Sequence, residues 1–284
     1  MDYAINQDLT ALIPKDKILP KYLFWMGNII AIEVKKNANW VWVTWVNRDF
    51  VKSIQIPLPP LEIQEQIVAE LDGYQRIIDG ARAVVENYKP TIKIDPEWEV
   101  VELGEVCETS SWWTPLKSKL EFYENWTIPW LWSWEVSQWF IYRSQNLITE
   151  LWLKNSSAKL FPINSVLIAM YGATVGQVWI LKFESTTNQA VCAIFPNTKF
   201  SPEFLYYFLK SKKEYLVNLS VWWAQPNISQ QIIRKLQIPL PPLQMQQSIV
   251  DRIEEEQRLV DANRKLIEIY EGKIRERMDE VWGK

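Results

Sequence analysis

The chain has 284 residues, 48% hydrophobic and 23% charged, with a formal net charge of −3. That is enough chain for one or two ordinary cores, and the charge excludes a globally basic binder of nucleic acid or membrane. There is no histidine, which removes imidazole bases, imidazole-activated nucleophiles and His metal ligands.

The two cysteines, Cys107 and Cys192, lie far apart and lack metal spacing. They predict free thiols in a reduced, cytoplasmic chain. The opening Met1-Asp2-Tyr3-Ala4-Ile5-Asn6 does not read as a signal peptide, and no apolar run approaches the ~20 residues of a membrane helix. One total is abnormal: 17 Trp against 8 Gly, where average usage near ~7% predicts about 20 Gly. Several Trp sit in turn-like contexts such as Ser110-Ser111-Trp112-Trp113-Thr114-Pro115, where residues tolerant of positive φ belong. The expectation is that Trp40, Trp42, Trp45, Trp112, Trp113, Trp126, Trp132, Trp134, Trp139, Trp152, Trp179, Trp222 and Trp223 stand where a source organism reading UGA as glycine places Gly. UGG codons there end that idea; the alternative is a Trp-rich binding surface.

In chain order, Leu9 to Ile13 predicts a buried strand and Pro20 opens a short helix through Met26. Next comes Ile54-Gln55-Ile56-Pro57-Leu58-Pro59-Pro60-Leu61, which recurs 182 positions later as Leu236-Gln237-Ile238-Pro239-Leu240-Pro241-Pro242-Leu243. The same offset relates Asn6-Gln7 to Asn188-Gln189, Pro14 to Pro196, Pro20 to Pro202 and Leu23 to Leu205. The repeating unit is a globular segment, a proline hinge, then a helix.

After the first hinge, Ile63, Ile67, Leu71, Tyr74, Ile78, Ala81, Val85 and Tyr88 step by fours and threes over 62–89. That is a heptad seam, closed by Pro90. Strand-like runs follow at Glu99–Leu103, Val166–Met170, Val178–Leu181 and Ala190–Phe195. Ser201-Pro202-Glu203 then supplies an N-cap, a first-position proline and an acid in the first turn, predicting one helix over 202–218. After the second hinge, 244–282 continues the seam through Met245, Ile249, Ile253, Val260, Ile267, Tyr270, Ile274, Met278 and Val281. Glu256 and Asn263 interrupt it, as register-setting polar residues do. At ~1.5 Å per residue this helix is close to 60 Å long.

The layout is therefore α+β: a globular α/β domain with two long helices packed as an antiparallel coiled coil. Its segments are 1–53, the end of a truncated first domain; 54–92, hinge and central helix; 93–236, a complete domain; and 237–284, hinge and distal helix. No phosphate-binding loop, nucleophile elbow, zinc spacing or dinucleotide fingerprint is present. Tyr171-Gly172-Ala173-Thr174-Val175-Gly176 has no lysine for a phosphate and predicts a tight turn.

Together these features resemble the specificity subunit of type I restriction–modification systems. The resemblance is carried by Pro96-Glu97-Trp98-Glu99, Ile128-Pro129-Trp130-Leu131, Lys154 to Pro162, Val166 to Gly176, Asn188-Gln189, Ala224 to Ser229 and both hinge copies. It implies a non-catalytic subunit whose target-recognition domains each read one half of a split DNA site, spaced by the helices. It further implies docking of two methyltransferase subunits, which modify adenine with S-adenosylmethionine, and of a motor–nuclease subunit that cleaves unmodified DNA. The subunit itself takes no cofactor and no metal.

The start departs from the family pattern, since the first recognition domain is cut to about 50 residues, too few for a core. A gene fragment, a contig edge and a natural half-subunit are all open. A half-subunit predicts a two-fold homodimer through the long helices and a palindromic split site. Within 96–243, 12 Lys/Arg balance 12 Asp/Glu, so phosphate contacts need a local patch. The candidates are Lys117, Lys119, Arg143, Lys154, Lys159 and Lys182, with Ser110, Thr114, Asn155, Tyr171, Thr174, Gln225 and Asn227 as hydrogen-bonding groups. Lys210, Lys212 and Lys213 predict a solvated helix end. The competing readings are a coiled-coil scaffold that binds protein, and an inert remnant of a specificity gene.

Overall fold

The computed structural model describes residues 11–36, 48–111, 127–132, 140–144, 146–154, 159–219 and 227–283. It divides into two compact units, 1–88 with 258–284, and 89–257.

The first unit holds helices α1 (Pro20–Lys36), α2 (Arg48–Ser53) and α3 (Leu61–Asn87). It also holds the last part of the 40-residue C-terminal helix at Leu243–Trp282, numbered α9 below. Tyr22, Trp25, Met26, Ile29 and Ile30 recur at helical spacing along α1 and bury against Ile67 and Leu71 of α3, with Met278. Such a stripe is what an amphipathic helix offers a neighbour. The two long helices run antiparallel, since partners fall in number along one as they rise along the other. Glu70 accepts from Arg277 Nε at 2.9 Å, and the Tyr74 and Tyr270 rings lie 5.4 Å apart between centroids. Lys273 caps Tyr270 at 4.7 Å. The seam positions Ile67, Leu71, Ile78, Ala81, Val260 and Met278 are buried, as heptad spacing predicts.

Among the described residues the second unit has three sheets. Its strands are β1 (Val100–Glu102), β2 (Thr109–Ser110), β3 (Ile128–Leu131), β4 (Phe140–Ile141), β5 (Leu147–Ile148), β6 (Val166–Ala169), β7 (Val178–Leu181), β8 (Thr186–Thr187), β9 (Val191–Ile194) and β10 (Gln237–Pro239). Its helices are α4 (Leu103–Val106), α5 (Glu150–Lys154), α6 (Pro202–Ser211), α7 (Lys213–Leu219), α8 (Gln230–Arg234) and the first part of α9. The main sheet has the order β2-β9-β6-β7-β4; smaller ones are β5-β3-β8 and β1-β10.

Strands β6, β7 and β9 are buried at every position because both faces of the sheet are covered. Val166, Ile168, Val178, Ile180, Cys192 and Ile194 face the cluster containing Phe204, Leu205 and Phe208 of α6. Their alternates Leu167, Ala169, Trp179, Leu181, Val191 and Ala193 face Leu131, Ile141 and Phe161. A strand buried on both sides reads as a continuous apolar run, not an alternation. The ribbon β1-β10 zips the two ends of the domain, with Val101 opposite Ile238, and Leu103 N donates to Leu236 O at 2.9 Å.

Three local expectations need correction. Residues 11–13 form no strand, and Ile13 is 86% exposed; Leu9 lies outside the described residues. Helix α1 does not stop at Met26 but runs to Lys36, because the stripe continues through Ile29 and Ile30. The 202–218 stretch is not the one internal helix of the domain, since the short α4, α5 and α8 also form there, and it breaks at Lys212 (φ −91°, ψ 3°), whose N–H is shared among the carbonyls of Phe208, Leu209 and Lys210.

Of the Trp positions expected to be glycine, Trp132, Trp152 and Trp179 are described. None has positive φ, so none needs glycine for its backbone. Trp179 fills the core, whereas the buried Trp152 indole N–H finds no acceptor among the described residues, at a desolvation cost. The other ten lie outside the described residues.

Candidate nucleic-acid interface

The strand directions collect several loops at one end of the main sheet. β6 is antiparallel to both β7 and β9, and β2 is antiparallel to β9. The end of β6 therefore lies beside the starts of β7 and β9, and β2 runs toward that same end, with Ser110 opposite Ala193. Leaving or entering there are Ser111 and the segments 170–177 and 188–190. A fourth joins them: Asn227 bridges Tyr171, and Ile228 N donates to Met170 O at 2.7 Å.

The 170–177 segment is the tight turn its glycines predict. Gly172 (φ +82°) and Gly176 (φ +73°) take conformations that glycine reaches without penalty. Gly176 N donates to Ala169 O at 2.9 Å and Gln177 N to Thr174 O at 3.0 Å. A Cβ on Gly176 would lie 3.2 Å from Cγ of Lys213, so the exposed start of α7 abuts this turn. Tyr171 is half-buried, and burial raises its phenol above the ordinary value despite a hydrogen bond with Gln189. It is a neutral donor and acceptor at working pH. Close by, Ser111 Oγ donates to Gln230 Oε1 and Gln230 Nε2 to Thr109 Oγ1, both at 2.9 Å. This end of the sheet thus presents hydroxyls and amides, the groups that meet phosphate oxygens and base edges.

The sequence-predicted residues divide between the two ends. Tyr171, Thr174 and Asn227 sit at the polar end. Ser110 directly precedes Ser111 but is only 4% exposed, paired with Ala193 inside the sheet. Lys182, after β7, is at the opposite end. Its Nζ donates to Asn164 at 3.0 Å and pairs with Glu203 at 3.3 Å. Arg143 follows β4, which is parallel to β7, and is exposed there. Lys159 pairs with Glu108, just before β2, at 3.6 Å. Lys154 pairs with Glu150 one turn away on α5 at 3.4 Å. Thr114, Lys117, Lys119, Asn155 and Gln225 lie outside the described residues.

Sequence reasoning missed Ser111, Gln189, Gln230 and Lys213. Gln189 was within reach, since Asn188-Gln189 belongs to the 182-residue repeat. The lysines 210, 212 and 213 do not form one solvated end. Lys210 is partly buried, which lowers its pKa, and donates to Tyr206 at 3.2 Å. Lys212 lies over the Phe208 ring at 5.5 Å.

Residues 1–87 and 96–269 match the sequence profile of the type I restriction modification DNA specificity domain. The chain belongs to that family. Among its curated relatives, the specificity subunit of the EcoR124I/EcoR124II type I restriction enzyme of Escherichia coli is 26% identical over 257 residues, covering 83% of this chain and 63% of the relative. The MjaIX specificity subunit of Methanocaldococcus jannaschii is 30% identical over 184 residues, 63% of this chain and 42% of the relative. The chain thus spans less than two thirds of the length of these family members. Among solved structures, the HsdS subunit from Thermoanaerobacter tengcongensis aligns with TM-score 0.56 and 21% identity, over 94% of this chain and 70% of that one. A chain from a study of complex assembly in the type I R-M system aligns with TM-score 0.62 and 21% identity, over 93% and 70%. The family fold is shared at identities this low because buried patterning, not surface sequence, specifies it.

Proposed function

We propose that this chain is a non-catalytic DNA-reading specificity subunit of a cytoplasmic type I restriction–modification assembly. Residues 93–236 are the reader, and 54–92 with 237–284 are the hinges and spacer helices. The observation that carries this reading is the convergence of four polar segments on one end of a rigid, doubly covered sheet, in a chain of the specificity family. Tyr171, Thr174, Gln189 and Asn227 supply hydrogen bonds, and Lys213, against the Gly176 turn, supplies a cation. Methyltransferase and motor–nuclease partners perform the chemistry, so this chain needs no cofactor or metal of its own. Two copies joined through the long helices would present two readers and select a palindromic split site.

Duplexes selected from a random library test the reading. Binding is expected to depend on sequence and to weaken linearly in log–log form with salt, as counterion release requires. Salt-insensitive or sequence-blind binding would favour the protein-binding scaffold, which the balanced charge of the domain also fits.

A further inference from the structure

The 182-residue repeat extends to a buried side chain that composition and periodicity do not mark. Gln64 and Gln246 are both 0% exposed, near the starts of α3 and α9. Gln64 Oε1 accepts from Leu19 N at 2.9 Å, and its Nε2 donates to Lys17 O at 3.0 Å and Pro59 O at 2.8 Å. Gln246 Oε1 accepts from Ser201 N at 2.8 Å, and its Nε2 donates to Lys199 O at 2.8 Å and Pro241 O at 2.9 Å. Every partner is displaced by 182 positions. The helix starts repeat as well: Pro60 O accepts from the amides of Ile63 and Gln64, and Pro242 O from those of Met245 and Gln246.

Each glutamine ties three points of the backbone. Two lie just before the globular helix, α1 or α6, and the third is the carbonyl of the second hinge proline, Pro59 or Pro241. All partners are main-chain groups, so the side chain reads the path of the chain and not its sequence. Only a primary amide of this length offers one strong acceptor and two donors together; an ionised Glu donates nothing, and Met has no donor and only a weak sulfur acceptor. Apolar packing also joins α9 to the domain through Ile249, Val250 and Ile253, but the hydrophobic effect is non-directional. Hydrogen bonds weaken steeply off axis. The prolines fix their own φ and restrict the preceding residue, leaving few torsions for the clamp to close.

We propose that Gln64 and Gln246 are positioning residues of two equivalent hinges, each fixing the direction in which a long helix leaves its globular segment. In the second unit this sets how the polar end of the sheet is aimed. That consequence for DNA rests on the function proposed above; the hinge itself does not.

The test is electron–electron double resonance on the full chain, with spin labels on introduced cysteines; native Cys107 and Cys192 are buried. Labels at Asp251 and Glu184 straddle the hinge, and labels at Glu184 and Asn218 report on the domain alone. Gln246→Met and Gln246→Glu are each expected to at least double the width of the first distance distribution and leave the second unchanged. An unchanged first width, or equal broadening of both, overturns the proposal. Should both variants fail to fold, Gln64→Met with labels at Lys35 and Glu65 applies the same criterion in the first unit. Affinity for the selected duplexes is read separately. A wild-type chain that selects no sequence defeats the DNA reading and leaves the distances standing. A Gln246→Met chain with a broad hinge and wild-type sequence preference breaks the link between hinge and recognition.

Discussion

Helices α1 and α6 occupy equivalent places in the repeat, yet they are buried differently. In α6 every residue from Phe204 to Leu209 is buried, because the sheet lies on one side and α9 with the domain core on the other. In α1 the equivalents Tyr22, Trp25 and Met26 are buried while Phe24 is 72% exposed, against 4% for its counterpart Tyr206. One sequence plan therefore gives a helix buried all round in one setting and an amphipathic helix in the other. The glutamine clamp is present in both, so it belongs to the hinge and is independent of the sheet.

The comparison can be broken at several points. Phe204→Ala removes a fully buried ring and is expected to cost ~3–5 kcal/mol, read as a lower urea midpoint. Tyr206→Ala follows at roughly 2–4 kcal/mol, whereas Phe24→Ala at the matching position stays within about 0.5 kcal/mol. A large loss from Phe24→Ala would mean that its face is covered after all. Gly176→Ala forces an L-residue to φ +73° against Lys213, at about 1–3 kcal/mol, and is expected to weaken duplex binding if that turn is part of the interface.

A smaller effect distinguishes the units by pH. Asp72, on α3, receives hydrogen bonds from Lys21 and Trp25 of α1, and the Lys21 bond holds its carboxyl below the usual range. Its stabilisation is full above the unfolded carboxylate value and is lost as pH falls through the depressed folded one. Asp72→Asn should flatten acid unfolding of the first unit and leave the second unchanged; tryptophan fluorescence and hydrogen exchange resolve the two. The smallest effect is chemical. Burial pushes the Cys107 thiol up to about 11 and Cys192 to about 12. Neither is expected to alkylate in the native protein at pH 8, since the thiolate is the reactive form.

The long helices and the inner strands were legible because their signals are local. Heptad spacing reports a seam, and an uninterrupted run such as Val166-Leu167-Ile168-Ala169 reports a strand covered on both faces. The candidate site was legible only in part. Tyr171, Thr174 and Asn227 lie in turn-like motifs that mark loop ends; β6 and β7 deliver the first two to one end of the sheet, and a bridge to Tyr171 brings Asn227 there. Lys182 looked equally available, but its partners Asn164 and Glu203 are 18 and 21 positions away. Ser110 looked like a loop residue, but its register with Ala193 is set by a strand 83 positions on. Ile13 failed as a strand for the converse reason: an apolar run needs a sheet to join, and none among the described residues pairs with it.

The β1-β10 ribbon places the entry and exit of the second domain side by side, Val100 opposite Pro239 and Glu102 opposite Gln237. A fold whose two ends leave together behaves as a cassette. A sequence change within the segment they bracket can therefore alter the contents and spare the mounting.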